Sequence, residues 1–353
     1  MKELLDLGIL NNAIDSFKNS GCYFEIFSEI KPEPKMEDFL NAKKIVRKEN
    51  FDVIVGFGGG SCIDFAKALA ILANHKEDIW DYVNLSNKPP KEIFKDKVLP
   101  VIAVPTTSGT GSEVTPFSVV INPETNEEGT IKDSAIFPRI AVIDPMLIRG
   151  LPRAWTAITG IDAFSHALES YFNLSNRTPY SDMICLEAMR WIVKYLPLAY
   201  EDGSNIEARS GVCYGAMLGG LSIALSGTTV GHALVHPTDA LIGTPHGVSV
   251  SIYMISVLKY TLPTDVKRFE KIVKIFENRE FQNDQDIINT GLKHIKEFLE
   301  GFDYKKRLSD YSDSEDIIHE IVDDAWRYMY RPLNQHVKKF SKNELTKIVK
   351  DSY

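Results

Sequence analysis

The sequence predicts two domains: an α/β domain over residues 1–152 and an all-α domain over residues 153–353. Two observations predict this division. In the first part, short apolar runs alternate with helical segments, as they do around a parallel sheet. Beyond residue 152, β-branched runs become rare and apolar residues recur at helical spacing. A chain of 353 residues is long enough for both domains.

The elements of the first domain follow in chain order. CYFEIF (22–27) predicts a strand, and EDFLNAKKIVRKENF (37–51) predicts a helix. FDVIVGF (51–57) ends in glycines and predicts a buried strand, and CIDFAKALAILAN (62–74) predicts an alanine-rich helix. Three further strands are predicted: VLPVIAVPTT (98–107), FSVVIN (117–122) and RIAVID (139–144). The alternation favours a parallel sheet that is covered on both faces.

The second domain is predicted to consist of helices. Two serine–glutamate pairs, Ser312 with Glu315 and Ser341 with Glu344, have the spacing of a capping box before helical runs. The six strongest helical segments are GIDAFSHALESYF (160–172), SDMICLEAMRWIVKYL (181–196), EARSGVCYGAMLGGLSIAL (207–225), DVKRFEKIVKIFEN (265–278), DIINTGLKHIKEFLEGF (286–302) and SEDIIHEIVDDAWRYMY (314–330).

Composition narrows the class of protein. The formal net charge of −8 disfavours a nucleic-acid partner, because such a surface repels phosphate backbones. No apolar run reaches the roughly 18 residues that a membrane span needs. The stretch MKELLDLGILNNAIDSF (1–17) lacks the basic and apolar regions of a signal peptide. The four cysteines form no CxxC pair, so we expect reduced thiols in a cytoplasmic protein.

Two loops of small residues follow predicted strands. GFGGGSCIDFAK (56–67) joins a strand to a helix, and its glycines would let backbone N–H groups approach a pyrophosphate. A tight turn without a ligand is the alternative, because Ser61 stands where a GxGxxG motif has its third glycine. Asp64 is placed to cap or orient this loop. PTTSGTGSEVTPF (105–117) is the second loop, and the pair favours a nucleotide-binding crevice.

Histidines gather in VGHALVHPTDALIGTPHG (230–247), which holds His232, His236 and His246. The first two share a helix face at a spacing of i, i+4, as do Asp162 and His166 in an earlier helix. His246 is predicted to lie in a turn. For the other four histidines we expect satisfied core positions; they are His75, His294, His319 and His336.

A metal ion would explain this gathering of potential ligands. Buried histidine and aspartate side chains are costly unless something pairs with them. A shell of one carboxylate and three imidazoles suits Fe²⁺ or Zn²⁺ better than Mg²⁺ or Ca²⁺. For Asp162 and His166, a buried ion pair or a helix cap is the alternative interpretation.

Together these motifs resemble the iron-containing (metal-dependent) alcohol dehydrogenase family. The resemblance rests on GGGSCIDFAK (58–67), PTTSGTGSEVTPF (105–117), ITGIDAFSHALE (158–169) and GHALVHPTDALIGTPHG (231–247), in the family's order and at about its spacing. It runs from about residue 8 to the C-terminus. It implies the fold shared with dehydroquinate synthase: a Rossmann-like dinucleotide-binding domain, a helical domain and a metal in the cleft between them.

The resemblance also implies roles for individual residues. His236 corresponds to an additional histidine that many members place beside the substrate, where we expect it to relay a proton. The implied metal ligands are Asp162, His166, His232 and His246. The implied cofactor-binding residues are Gly59, Gly60 and Ser61 in the pyrophosphate loop, Asp64 beside it, and Thr106, Thr107, Thr110 and Thr115 along the cofactor cleft.

The implied function is a metal-dependent alcohol dehydrogenase or aldehyde reductase, linked to NAD or NADP and assembled as a homo-oligomer such as a dimer. Members usually begin several tens of residues earlier, so either the start of the chain was assigned too late or the first domain lacks its first strands. Three alternatives stay open: a lyase like dehydroquinate synthase, an enzyme like glycerol dehydrogenase, and a truncated homologue that binds metal but is catalytically weak.

Overall fold

The computed structural model describes residues 8–31, 34–84, 88–125 and 127–353. Contacts divide them into two compact units. The first comprises the described residues up to Thr106 together with Pro116–Leu147, and the second comprises Thr107–Thr115 and Ile148–Tyr353. The expectation about a signal peptide concerns residues 1–7 in part, and these lie outside the described residues. The domain boundary after residue 152 stays a prediction.

A parallel sheet of three strands organises the first unit, in the order β1–β2–β5. Its strands are β1 (Ile54–Gly58), β2 (Val101–Pro105) and β5 (Ile140–Ala141). The helices of this unit are α1 (Asn11–Asn19), α2 (Phe39–Lys48) and α3 (Gly60–Leu72). Nearly every residue of α3 from Cys62 onward is buried, because its alanines let the helix pack closely. The strand–helix alternation predicted from the sequence is therefore present.

An antiparallel hairpin stands apart from this sheet. It pairs β3 (Phe117–Asn122) with β4 (Glu127–Lys132), so the prediction that FSVVIN continues the parallel sheet is wrong. The sequence did not predict β4, since its residues EEGTIK are largely charged or small. Its backbone groups nevertheless find partners in β3, and this pairing overrides the low strand propensity.

The strand predicted over residues 22–27 is absent, since these residues form neither strand nor helix. Apolar side chains of this stretch still pack, and the ring of Phe27 stacks on that of Phe65 at 5.6 Å. A strand also needs a neighbour for its backbone N–H and C=O groups. Within the described part of the chain, no strand pairs with this stretch.

Helices build the second unit, and all six predicted segments are helical. The central helix α4 is buried from Thr156 to Phe172, apart from Thr159. Among the described residues no single helix is long and apolar enough to cross a bilayer, although the helices Ile206–Leu225 and Val230–Ile242, bent by 104°, meet that criterion as a pair. The helices are α4 (Arg153–Phe172), α5 (Pro179–Glu201), α6 (Ile206–Leu225), α7 (Val230–Ile242), α8 (His246–Thr261), α9 (Val266–Phe276), α10 (Asp284–Glu300), α11 (Ile317–Tyr328), α12 (Tyr330–Gln335) and α13 (Lys342–Asp351).

One of the two predicted capping boxes is confirmed. The Ser341 N–H donates to Glu344 Oε2 at 2.8 Å, and the Glu344 N–H donates to Ser341 Oγ at 3.3 Å, at the start of α13. The box predicted for Ser312 and Glu315 is wrong. Helix α11 begins only at Ile317, so Glu315 precedes the helix and cannot occupy its third position.

The four isolated histidines divide into two kinds. His75 and His336 are buried with both ring nitrogens hydrogen-bonded, which confirms the prediction of satisfied core residues. For His294 and His319 the prediction is wrong. His319 is exposed on α11, and His294 is partly exposed on α10, where its Nε2 lies 2.8 Å from Glu277 Oε2. The helical pattern does not show which faces remain open to solvent.

Candidate metal centre

Four predicted ligands come together in the second unit. Asp162 and His166 lie one turn apart on α4, His232 lies on α7, and His246 is the first residue of α8. One ligand atom from each lies within 4.8 Å of the others. The expected turn at His246 is wrong, because the turn ends at Pro245 and the helix begins at the histidine itself.

The distances leave space for an ion between these side chains. Asp162 Oδ1 lies 3.4 Å from His166 Nε2 and 3.9 Å from the Nε2 atoms of His232 and His246. Asp162 Oδ1 and His232 Nε2 are buried without a hydrogen-bond partner in the described structure. Two such atoms cost free energy, and a cation between them removes that cost. The donor set of one carboxylate and three imidazoles fits Zn²⁺ or Fe²⁺.

A buried carboxylate orients His232. Glu169 Oε1 lies 2.7 Å from His232 Nδ1, and Glu169 Oε2 accepts from the Thr229 N–H at 2.7 Å. Because a carboxylate only accepts hydrogen bonds, Nδ1 carries the hydrogen and Nε2 keeps its lone pair for a metal. Gly231 makes this possible, since a Cβ there would lie 2.3 Å from Glu169 Oε1.

A second carboxylate orients His246 in the same way. Asp239 Oδ2 lies 2.7 Å from His246 Nδ1. Its other oxygen, Oδ1, accepts from the hydroxyl groups of Thr244 and Ser249. The side chain of His246 is 32 % exposed whereas that of His232 is 3 % exposed. The cluster is therefore accessible on the side of His246.

Burial sets the protonation of the cluster in the absence of an ion. It raises the pKa of Asp162, lowers the pKa of His166 to about 3 and lowers the pKa of His232. Burial also raises the pKa of Glu169, but its interactions with His232 and the hydrogen bonds from Thr229 outweigh this effect and hold the pKa of Glu169 at about 2. The imidazoles of His166 and His232 are thus neutral, which is the form that ligates metals.

His236 lies on α7 one turn beyond His232. Its ring centroid is 6.1 Å from that of His232 and 5.6 Å from that of His246. The side chain is half-buried. His236 therefore flanks the four ligands on their accessible side, beside His246.

The glycine loop of the first unit lies where the sequence predicts it. Gly58 ends β1 with φ at 152°, a backbone conformation that favours glycine. Gly59 precedes the first helical residue Gly60, and Ser61 follows in the first turn of α3. The first N–H groups of a helix have no intrahelical partner, so this turn suits an anion.

Asp64 faces the hairpin. Its Oδ2 accepts from the Val119 N–H at 3.0 Å, and its Oδ1 lies 3.6 Å from Lys67 Nζ. The Lys67 ammonium group donates to the Phe117 carbonyl at 2.7 Å. Asp64 therefore connects α3 to β3, and a role in orienting the glycine loop would act through the position of the helix.

The threonines of the second loop have different surroundings. The Thr106 N–H donates to the carbonyl at the end of β1 at 2.9 Å. In the second unit, Thr110 Oγ1 accepts from the Ser112 N–H at 3.2 Å, and the Thr115 hydroxyl donates to the Ser112 carbonyl at 3.5 Å. These two hydroxyls hold the loop's own backbone, while Thr107 is half-buried. Contacts of all four with a cofactor stay predictions.

Two family models match nearly the whole chain. The model described as "Iron-containing alcohol dehydrogenase" matches residues 1–145, and "Fe-containing alcohol dehydrogenase family, C-terminal" matches residues 156–353. The chain belongs to the iron-containing alcohol dehydrogenase family. The family predicted from the motifs is thereby confirmed.

Individual members support the assignment. The chain is 32 % identical to "Long-chain-alcohol dehydrogenase 1" of Geobacillus thermodenitrificans, over 91 % of this chain and 80 % of that one. It is 30 % identical to "NADPH-dependent butanol dehydrogenase" of Clostridium saccharobutylicum, over 90 % of this chain and 80 % of that one. An archaeal halo-thermophilic alcohol dehydrogenase from a Red Sea brine pool superposes with a TM-score of 0.93 at 30 % identity, covering 99 % of this chain and 89 % of that one.

This member of the iron-containing alcohol dehydrogenases has the family's fold, a Rossmann-like domain followed by a helical domain. It is a metal-dependent, NAD(P)-linked alcohol dehydrogenase that acts on small alcohols or aldehydes. The alternative of a glycerol dehydrogenase-like enzyme is not favoured. The predicted cofactors, iron and NAD(P), are those of the family.

Sequence reasoning missed the two orienting carboxylates. Glu169 lies three residues after His166 on the same helix, and Asp239 lies three residues after His236. Both are acidic residues in otherwise apolar helical stretches. A search for buried carboxylates at helical spacing from the histidines would have found them.

Proposed function

We propose that Asp162, His166, His232 and His246 are the ligands of one catalytic ion, Fe²⁺ or Zn²⁺. The observation that carries this assignment is the pair of buried atoms without partners, Asp162 Oδ1 and His232 Nε2, within 4.8 Å of two further imidazole nitrogens. When bound, such an ion acts as a Lewis acid on the substrate oxygen.

The side chains around the ligands have separate tasks. Glu169 and Asp239 hold the Nε2 lone pairs of His232 and His246 toward the common centre. Burial of the ligand cluster keeps water away from the reacting groups. His236 relays the alcohol proton to solvent, as its half-buried position beside His246 permits.

We also propose that NAD(P) binds with its pyrophosphate on the N-terminus of α3, in the first unit. Gly59, Gly60 and Ser61 receive the pyrophosphate, and Asp64 holds the helix in place. The threonines assigned to the cofactor cleft are Thr106, Thr107, Thr110 and Thr115. The relatives with butanol or long-chain alcohol in their names favour aliphatic alcohols and aldehydes as substrates.

The remaining proposals concern the setting of the enzyme. We propose domains over residues 1–152 and 153–353, a cytoplasmic location and a homodimeric assembly. The net charge of −8 supports the absence of a nucleic-acid partner. Sedimentation of the purified chain tests the assembly.

The first experiment measures metal content and turnover together. The protein is purified anaerobically, and NADH- and NADPH-dependent reduction of short aldehydes is compared with that of His246→Ala. We expect about one Fe or Zn per chain and turnover that the variant loses. His294→Ala is the control, because His294 also pairs with a carboxylate but lies outside the cluster.

Two other outcomes would contradict parts of this proposal. Protein without metal contradicts the ligand assignment. Metal without turnover contradicts the catalytic assignment and favours a metal-binding homologue with weak catalysis. For His236, substitution by Ala is expected to change the dependence of kcat on pH. An unchanged profile would leave His236 as a wall of the substrate pocket.

A further inference from the structure

A further histidine, His336, is linked through Thr229 to the carboxylate that orients His232. His336 follows α12 and is buried. Its Nδ1 lies 3.0 Å from Thr229 Oγ1, and its Nε2 lies 2.9 Å from Thr261 Oγ1. Thr229 Oγ1 in turn lies 3.0 Å from Glu169 Oε2. A continuous series of hydrogen bonds therefore links His336 to the carboxylate of Glu169.

The number of available hydrogen atoms determines which group donates and which accepts in each of these hydrogen bonds. Burial lowers the pKa of His336 to about 4, so the ring is neutral and has one N–H group. Thr229 has one hydroxyl hydrogen, and the bond to the charged Glu169 carboxylate is stronger than a bond to a neutral imidazole. The hydroxyl therefore donates to Glu169, and its oxygen accepts from the N–H at Nδ1 of His336.

The opposite nitrogen has a weaker link. The Thr261 hydroxyl lies 2.9 Å from both His336 Nε2 and the Val257 carbonyl, so its single hydrogen serves two acceptors. Removal of this link leaves the bond to Thr229 in place. The two nitrogens of His336 thus have separable roles.

Packing alone does not hold Glu169 in position. A small cavity adjoins its side chain, and its lining includes Gly231, Thr261 and His336. The cavity has room for about one water molecule. Packed side chains therefore do not fully enclose the carboxylate, and hydrogen bonds from Thr229 and from the N–H and Nδ1 groups of His232 keep Oε1 facing His232.

We propose that His336 is a positioning residue for the metal centre: through Thr229 it fixes the Glu169 carboxylate, which orients the ligand His232. This inference rests on the proposed metal site. Its consequence is that zinc affinity depends on a side chain that touches neither the ion nor a ligand. Such indirect partners typically change metal affinity by about 10- to 100-fold.

Two matched substitutions separate the two nitrogens. In His336→Asn the side-chain amide takes the place of Nδ1 and can still donate to Thr229. In His336→Gln the amide takes the place of Nε2 and reaches only Thr261. Zinc affinity of the full chain is measured by competition with a chromogenic chelator, and urea unfolding of each variant is measured in parallel. We expect His336→Asn to bind zinc within about threefold of the wild type and His336→Gln to bind it about tenfold more weakly.

A second variant tests the link itself. Thr229→Val keeps the shape of the side chain but removes the hydroxyl, so it should weaken zinc binding about as much as His336→Gln. Since both changes cut the same series, the double variant should bind no more weakly than Thr229→Val alone. If Thr229→Val binds zinc with wild-type affinity, the inference is overturned. This test holds even if His336→Gln does not fold.

The remaining outcomes separate this inference from the proposed function. Equal losses in His336→Asn and His336→Gln, in proportion to lost stability, would make His336 a core residue only and overturn the positioning role. A loss of zinc affinity confined to His336→Asn would also overturn it.

His232→Ala tests the metal site itself: if this variant binds zinc like the wild type, the ligand assignment has failed. A loss in His232→Ala without one in His336→Gln overturns the positioning role alone.

Discussion

His246 Nδ1 lies 2.7 Å from Asp239 Oδ2, and this bond determines which nitrogen of the ring can face a metal. The carboxylate accepts the hydrogen at Nδ1, so Nε2 keeps its lone pair on the side of the ring that faces the cluster, where Asp162 Oδ1 lies 3.9 Å away. Asp239 itself accepts from Ser249 and Thr244, which fix its orientation. The geometry of the ligand cluster therefore depends on residues that do not belong to it.

We expect Asp239→Asn to weaken zinc binding by about 10- to 100-fold, because an amide N–H facing Nδ1 would reverse the tautomer of His246. Zinc affinity is measured by chelator competition on the full chain. Glu277→Gln is the matched control, since Glu277 also accepts from a histidine, His294, at 2.8 Å but is remote from the ligands. Equal effects of the two substitutions would mean that Asp239 does not orient a ligand.

Substitution of Asp162 should change the free energy of unfolding in opposite directions in the metal-free chain and in the zinc-bound chain. Without metal its Oδ1 is buried and unpartnered, so Asp162→Asn should raise the free energy of unfolding at pH 8 by about 1 kcal/mol. With zinc at 100 times its dissociation constant, the wild type should gain about 2.7 kcal/mol and the variant almost nothing. Urea unfolding with zinc and with a chelator measures both. A variant that is less stable than the wild type without metal would contradict the idea that an ion removes the cost of burial.

The pairs in and beside the proposed ligand cluster could be predicted because spacing within one helix fixes which side chains share a face. Asp162 and His166 illustrate this, and so do His232 and His236. Which helix meets which is a tertiary property, so Glu169 on α4 could not be assigned to His232 on α7 from spacing alone. The same limit concealed the hydrogen bond between His336 and Thr229, which lie far apart along the chain.

The strands of the first unit show a related limit. Short apolar runs identified β1 and β2, most of whose residues are buried in the sheet. The stretch 22–27 has an equally good strand composition, but no strand among the described residues pairs with it, whereas β4 has a poor composition and pairs with β3. Pairing depends on residues distant in sequence, and local composition does not report it.

His336 should make the stability of the chain depend on pH. Its pKa is lowered to about 4 by burial, compared with about 6.5 in an unfolded chain, so the unfolded state binds more protons between these values. The contribution of the neutral His336 ring to the free energy of unfolding is complete above pH 6.5 and is lost as the pH falls toward 4. The loss amounts to about 3 kcal/mol.

The comparison with His336→Asn isolates this effect from the other titrating groups. Because asparagine does not titrate, the difference in unfolding free energy between wild type and variant should narrow by about 3 kcal/mol from pH 7 to pH 4. Urea unfolding with a chelator present measures it. A constant difference over this range would mean that His336 is not buried as a neutral ring.

Gly59 offers the sharpest test of the dinucleotide site. Its φ of −71° and ψ of −177° are open to any residue, so Gly59→Val should fold, unlike a substitution at Gly58 with φ at 152°. The new side chain would keep a pyrophosphate from the first N–H groups of α3. We expect the KM for NADH or NADPH to rise about tenfold or more, with zinc affinity unchanged. Gly150→Val is the control, because a Cβ at Gly150 meets nothing within 4 Å. If Gly59→Val leaves the KM of the preferred cofactor at the wild-type value, the turn at the start of α3 does not bind the pyrophosphate.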